Sequence, residues 1–142
     1  MKENTLQRFI DAQKEDYIIA LSEIKNGRKR SHWMWYIFPQ IQGLALSETS
    51  RYYAIKDLDE AADYLSHTVL GSRLVEICKE LLALKGDNAN LILGSPDDLK
   101  LKSSMTLFSC LPQADPVFQS LLDKFYQGKK DPKTLQIIGM SS

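Results

Sequence analysis

Ser95-Pro96-Asp97-Asp98, Asp115-Pro116 and Asp131-Pro132 repeat one device three times in the last third of the chain. A Ser or Asp side chain accepts from an amide that the first helical turn leaves orphaned, and the proline after it has no amide to orphan. Asp97 and Asp98 add negative charge where a helix dipole is positive. Three such starts predict helices over 96–110, 116–127 (closed by Gly128) and 132–138.

Towards the N-terminus, Leu6, Phe9, Ile10, Tyr17, Ala20, Leu21 and Ile24 recur at three-and-four spacing. That stripe predicts an amphipathic helix over 5–26 with Gly27 as its left-handed cap. Ser31 is placed to cap a short helix that Pro39 ends, and Ser47 to cap another over 49–55. Asp57 caps a helix over 58–66. A further helix over 72–85 precedes Gly86 and carries Leu74, Ile77, Cys78, Leu81, Leu82 and Leu84. Leu91-Ile92-Leu93 is too short to carry a sheet alone, and there is no hairpin signal or sustained alternation. The expected fold is all-α, a single helical domain over 1–142 with about six to seven helices.

A chain of 142 residues, 44% hydrophobic and 25% charged, reads as a soluble globular protein that needs neither metal nor disulfide to build its core. Eighteen basic residues balance eighteen acidic ones, so no global field attracts nucleic acid or anionic membrane. Any anion affinity must be local. Met1-Lys2-Glu3-Asn4 lacks the apolar core of a signal peptide, and no stretch approaches the roughly 20 apolar residues of a spanning helix. Cys78 and Cys110 sit in apolar contexts without metal spacing and read as buried, reduced thiols. A cytoplasmic protein without cofactor or metal is expected, since no P-loop, dinucleotide fingerprint or metal-ligand cluster occurs.

The densest chemistry lies in Ser31-His32-Trp33-Met34-Trp35-Tyr36-Ile37-Phe38-Pro39-Gln40, which holds both tryptophans and follows Gly27-Arg28-Lys29-Arg30. Two readings stand side by side. Aromatics on more than one helical face suit an element buried almost all round, with the basic residues solvated at a helix C-terminus. Alternatively Trp33 or Trp35 stacks on a planar ring, Gln40 closes the same motif, and Arg28 or Arg30 clamps a phosphate or carboxylate. His32 is then the acid/base candidate.

Three other places add candidates. Gln13 interrupts the apolar stripe of the first helix and must find a partner or line a cavity. Arg73 follows Gly71, whose place beside a helix start offers free amides to an anion, with Tyr64 and His67 nearby in sequence. Lys100 and Ser104 share a stripe with Asp97; an Asp97–Lys100 ion pair beside a packing Ser104 competes with a lysine turned into a cleft. The expected function is binding or processing of a small anionic, nucleotide-like molecule. The alternative is a non-enzymatic interaction module, with the tryptophans as core and the basic loop meeting an acidic partner.

The motif from Gly27 to Gln40 resembles that of a bacterial family of uncharacterised proteins sometimes mislabelled "calpastatin". Further resemblance lies in Phe9, Asp11-Ala12-Gln13 and Tyr17; Tyr53-Ala54-Ile55; Glu60-Ala61; Tyr64-Leu65; Leu70-Gly71 and Arg73-Leu74. It continues through Lys100-Leu101, Ser103-Ser104-Met105-Thr106-Leu107-Phe108, Asp131 and Thr134-Leu135. One departure is His67-Thr68, where members commonly have His-Pro. The resemblance implies a compact, mainly helical domain of the bacterial cytosol and no established activity. Glu60-Ala61, Gly71-x-Arg73 and the spacing of Lys124-Phe125 to Leu135 loosely resemble the helical family proposed to handle NAD and ADP-ribose derivatives.

Overall fold

The first four helices are α1 (Lys2–Lys25), α2 (Met34–Ile37), α3 (Glu48–Tyr53) and α4 (Leu58–Ser66). They are followed by α5 (Leu70–Ala83), α6 (Ala89–Leu93), α7 (Asp97–Ser109), α8 (Pro116–Tyr126) and α9 (Pro132–Ile138). These come from a computed structural model that describes residues 2–140, with side chains from Leu6; Met1, Ser141 and Ser142 lie outside it. Among the described residues the protein is all-α, with six helices of seven residues or longer. None is long and apolar enough to cross a membrane.

Helix α7 is the axis of the packing. From Leu101 to Phe108 every residue but Lys102 is buried, so core surrounds it rather than touching one stripe. It packs against α8, α9, α4 and α6, while α5 bridges α8, α4 and α1. Aromatic rings mark the joints: Phe108 lies 5.5 Å from Tyr64 on α4 and 5.8 Å from Phe118 on α8, and Phe9 on α1 meets Tyr64 edge-on at 5.1 Å.

Four capping expectations hold at the atomic level. Ser47, Asp57, Asp115 and Asp131 each accept from a first-turn amide, and proline occupies the first turn of α8 and α9. Gly27 adopts φ +79 just beyond α1.

Others are corrected. Ser95 does not cap α7: Pro96 occupies the cap, and the first-turn amides go to the Gly94 and Pro96 carbonyls and to Asp98 Oδ1. Ser31 does not cap α2, which begins after Trp33 without a side-chain cap. Residues 91–93, too short to carry a sheet, belong to α6, a helix that the sequence reading did not place, capped by Asn88. Helix α5 starts at Leu70 and ends at Ala83, leaving Leu82 exposed, and Cys110 is half-buried rather than buried.

Gly71 is not an anion-binding start. It lies inside α5, buried against α4, and its amide donates to the His67 carbonyl at 2.9 Å. The entry to α5 is held instead by His67 Nδ1, which accepts from the Val69 and Leu70 amides at 3.1 and 3.2 Å.

Candidate functional site

The aromatic motif is anchored by a residue of α1 that no motif announces. Glu23, near the C-terminal end of α1, accepts from the Arg30 and Ser31 amides, the Ser31 hydroxyl and the Trp33 indole at 2.6–3.0 Å. Burial alone would raise its carboxyl, but these donors outweigh that cost and hold it down at about 2. Trp33 is thereby locked into the core, 1% exposed, with Phe38 at 6.2 Å. Its indole is core, as the bland reading has it.

The three basic residues ahead of the motif divide. Arg28 and Arg30 are exposed, whereas Lys29 turns inward. Lys29 Nζ reaches Asp97 Oδ2 at 2.8 Å and lies 5.2 Å over the Trp33 ring, and its amide donates to the Ile92 carbonyl at 2.7 Å. Asp97 also pairs with Lys100 at 3.0 Å. Burial raises this carboxyl, yet the two ammonium groups prevail and keep it below the ordinary aspartate range. Lys100 Nζ in turn sits 3.9 Å from the centroid of the Trp35 ring. The expected ion pair and the expected turn into a cleft are both present in one side chain.

Trp35 is only half-buried and stands between two adjoining clefts. One, of about 410 Å³, is walled by Trp35, Gln40, Lys100, Ser103, Asp131 and Lys133 among others. The other, of about 330 Å³, is walled by Trp35, Gln40, Leu44, Leu46, Arg51 and Tyr53 among others. A short parallel bridge shapes the second: Ile55 donates to the Gln40 carbonyl at 2.8 Å and Gln42 donates to the Ile55 carbonyl at 2.9 Å. Counting Lys29 behind Asp97, the larger cleft has three ammonium groups against two carboxylates, a local positive excess in a neutral chain.

Trp35, Gln40 and Lys100 are therefore brought together, and the other candidates lie elsewhere. Gln13 and Arg73 meet in a second polar network. Gln13 is 1% exposed; its amide donates to the Tyr36 carbonyl at 2.7 Å and to Tyr64 Oη at 2.9 Å, and accepts from Arg73 at 3.5 Å. Tyr17 hydrogen-bonds Glu76 and the Arg73 carbonyl, and burial together with Glu76 pushes its phenol up so that it stays protonated. This network supports the backbone beside Trp35 from behind and lines neither cleft. His32 is exposed outside both clefts, and its carbonyl accepts from the Tyr36 hydroxyl.

Ser104 is fully buried on α7 with a hydroxyl that finds no hydrogen-bond partner among the described residues. Its neighbour Ser103, not Ser104, lines the larger cleft. Such an orphan costs its desolvation without return, so Ser104→Ala should stabilise the fold by about 1 kcal/mol in urea denaturation. A destabilisation instead would mean the hydroxyl has a partner in solution.

Residue by residue, the sequence did not single out Ser103, Asp131 and Lys133 as lining of the cleft, or Glu23 as the anchor of the motif. Asp131 was legible as a helix cap and as a point of family resemblance, and nothing local to Glu23 points eight residues ahead to Ser31. Among the described residues no group of three or more His, Cys, Asp or Glu is arranged to hold a metal ion.

Comparison with known proteins agrees with this architecture. The conserved hypothetical protein Rv1873 from Mycobacterium tuberculosis, a crystal structure at 1.38 Å, is 43% identical, with a TM-score of 0.92. The match covers 96% of this chain and 97% of that one. No curated protein matches. Residues 3–138 match the family described as "Protein of unknown function (DUF1810)", and the chain, with its helical fold built around α7, belongs to that family.

Proposed function

We propose that the cleft at Trp35 binds a small anionic, ring-bearing molecule of the nucleotide or ADP-ribose kind. The observation that carries this reading is the Lys100 ammonium held 3.9 Å over the half-buried Trp35 indole on the wall of a cleft of about 410 Å³. That volume lies within the roughly 300–1,000 Å³ of small-molecule sites. Lys100 is fixed from behind by Asp97, so a ligand meets a cation already oriented rather than one that must be immobilised. Gln40 adds an amide, and Trp35 an aromatic edge shared by both clefts. His32, outside both clefts, performs no step, so the reading is one of binding. It implies a cytoplasmic protein, because such molecules are cytosolic metabolites.

The test is a thermal-shift and fluorescence titration with AMP, NAD and ADP-ribose. A ligand at 100 times its dissociation constant should add about 2.7 kcal/mol of stability. Because Trp33 is sealed in the core, the fluorescence change should vanish in Trp35→Phe, and Lys100→Met should weaken binding about tenfold or more. If no nucleotide raises the melting temperature, the reading is wrong.

A second reading rests on a different observation. Arg28 and Arg30 are exposed while the backbone of Arg30 and Ser31 is pinned by Glu23, a rigid cationic corner that suits an acidic protein partner. Loss of partner capture in an Arg28→Ala/Arg30→Ala variant, with nucleotide titrations silent, would favour it.

A further inference from the structure

Asp131 both caps α9 and lines the cleft. Its Oδ2 takes the Thr134 amide at 3.0 Å and the Thr134 hydroxyl at 2.5 Å, which occupy both lone pairs, while the Ser103 hydroxyl lies 3.3 Å away and shares its one proton with the Leu99 carbonyl at 3.2 Å. Its amide is spent on Thr106 Oγ1 at 2.8 Å. No hydrogen bond from the described residues reaches Oδ1, and Asp131 stands on the wall of the same cleft as Trp35 and Lys100.

We infer that Asp131 Oδ1 is a ligand-binding acceptor that selects molecules carrying a hydroxyl beside their anionic group. A carboxylate in an anion-binding cleft would repel a bare phosphate, so the ligand must offer it a hydrogen-bond donor. An ammonium donor is disfavoured by Lys100 and Lys133, which line the same cleft. A neutral hydroxyl remains, and a hydroxylated pentose next to a phosphate supplies it. Ribose-bearing nucleotides therefore fit better than their dideoxy counterparts. The inference rests on the proposed occupancy of the Trp35 cleft and adds the specificity of that cleft.

Isothermal titration with AMP and 2′,3′-dideoxy-AMP tests it, on the native protein and on Asp131→Asn. Asparagine also caps helices well, so α9 should stay folded while the charged acceptor is lost; an unchanged melting temperature without ligand checks this. The native protein should prefer AMP by about tenfold or more, the scale of one hydrogen bond to a charged acceptor. Asp131→Asn should bind both within about twofold. Lys133→Ala should weaken both analogues alike and keep their ratio. Equal binding of the two analogues by the native protein overturns this inference and leaves the Trp35 reading intact. Failure of every nucleotide to bind overturns both.

Discussion

Gly71→Ala is expected to be the most damaging single-methyl change in the protein. A Cβ at this position would lie 1.9 Å from the Leu65 carbonyl oxygen and 2.8 Å from its carbonyl carbon. Both atoms are backbone, held within α4, so neither can swing aside as a side chain would. Helices α4 and α5 must then separate, dragging Tyr64 and Leu74 out of the core they share. Overpacking costs about 1–3 kcal/mol where side chains can adjust; against rigid backbone we expect roughly 3 kcal/mol or more. Urea denaturation should show that loss, or the variant should fail to accumulate as soluble protein. Gly86→Ala is the control, since there a Cβ meets nothing within 4 Å and the only cost is its φ of +84. That strain is worth about 1–2 kcal/mol. Equal effects at the two glycines would refute the close-approach argument.

Glu23→Ala should be nearly as costly, and its cost should depend on pH. The substitution strips acceptors from the Arg30 and Ser31 amides, the Ser31 hydroxyl and the buried Trp33 indole together. Hydrogen bonds to a charged group contribute about 1.5–3 kcal/mol each, but they are not additive and Glu23 is only half-buried, so a net loss of about 2 kcal/mol is expected. The folded carboxyl titrates at about 2 against an ordinary 4.5, a depressed value. Its stabilisation is therefore complete above about pH 4.5 and fades as pH falls towards 2. The gap between native and Glu23→Ala stabilities should be constant from pH 5 to 7 and shrink below pH 4. A gap independent of pH down to 2.5 would show that the carboxylate charge is not what holds the motif.

The two substitutions separate two kinds of legibility. Helix ends such as those at Ser47, Asp57, Asp115 and Asp131 could be read because capping is settled within about four residues, by groups whose identity is visible in the string. Where the reading failed, another partner intervened: the Gly94 and Pro96 carbonyls took the first-turn amides in place of Ser95, and the Ser31 hydroxyl was drawn away to Glu23 on α1. Helix α6 was missed because its five residues are too few to show a period.

Trp33 and Trp35 make the same point inside one motif. Both stand in an identical aromatic context, yet one is core and the other half-exposed between two clefts. The difference lies in Glu23 and Lys100, which come from other helices. Likewise nothing in Lys29 distinguishes it from Arg28 and Arg30 until Asp97 is folded against it.

By itself, then, the sequence determined the helical class, most helix boundaries and the apolar face of α1. Periodicity and capping are short-range, and the chain carries them in plain order. Only the tertiary structure decided which members of the aromatic motif face a cleft, which cation is spent internally, and that Asp131 joins Lys100 at one wall. Those outcomes depend on contacts between residues far apart in the chain, whose pairing is set by how helices close around α7 and not by any spacing along it.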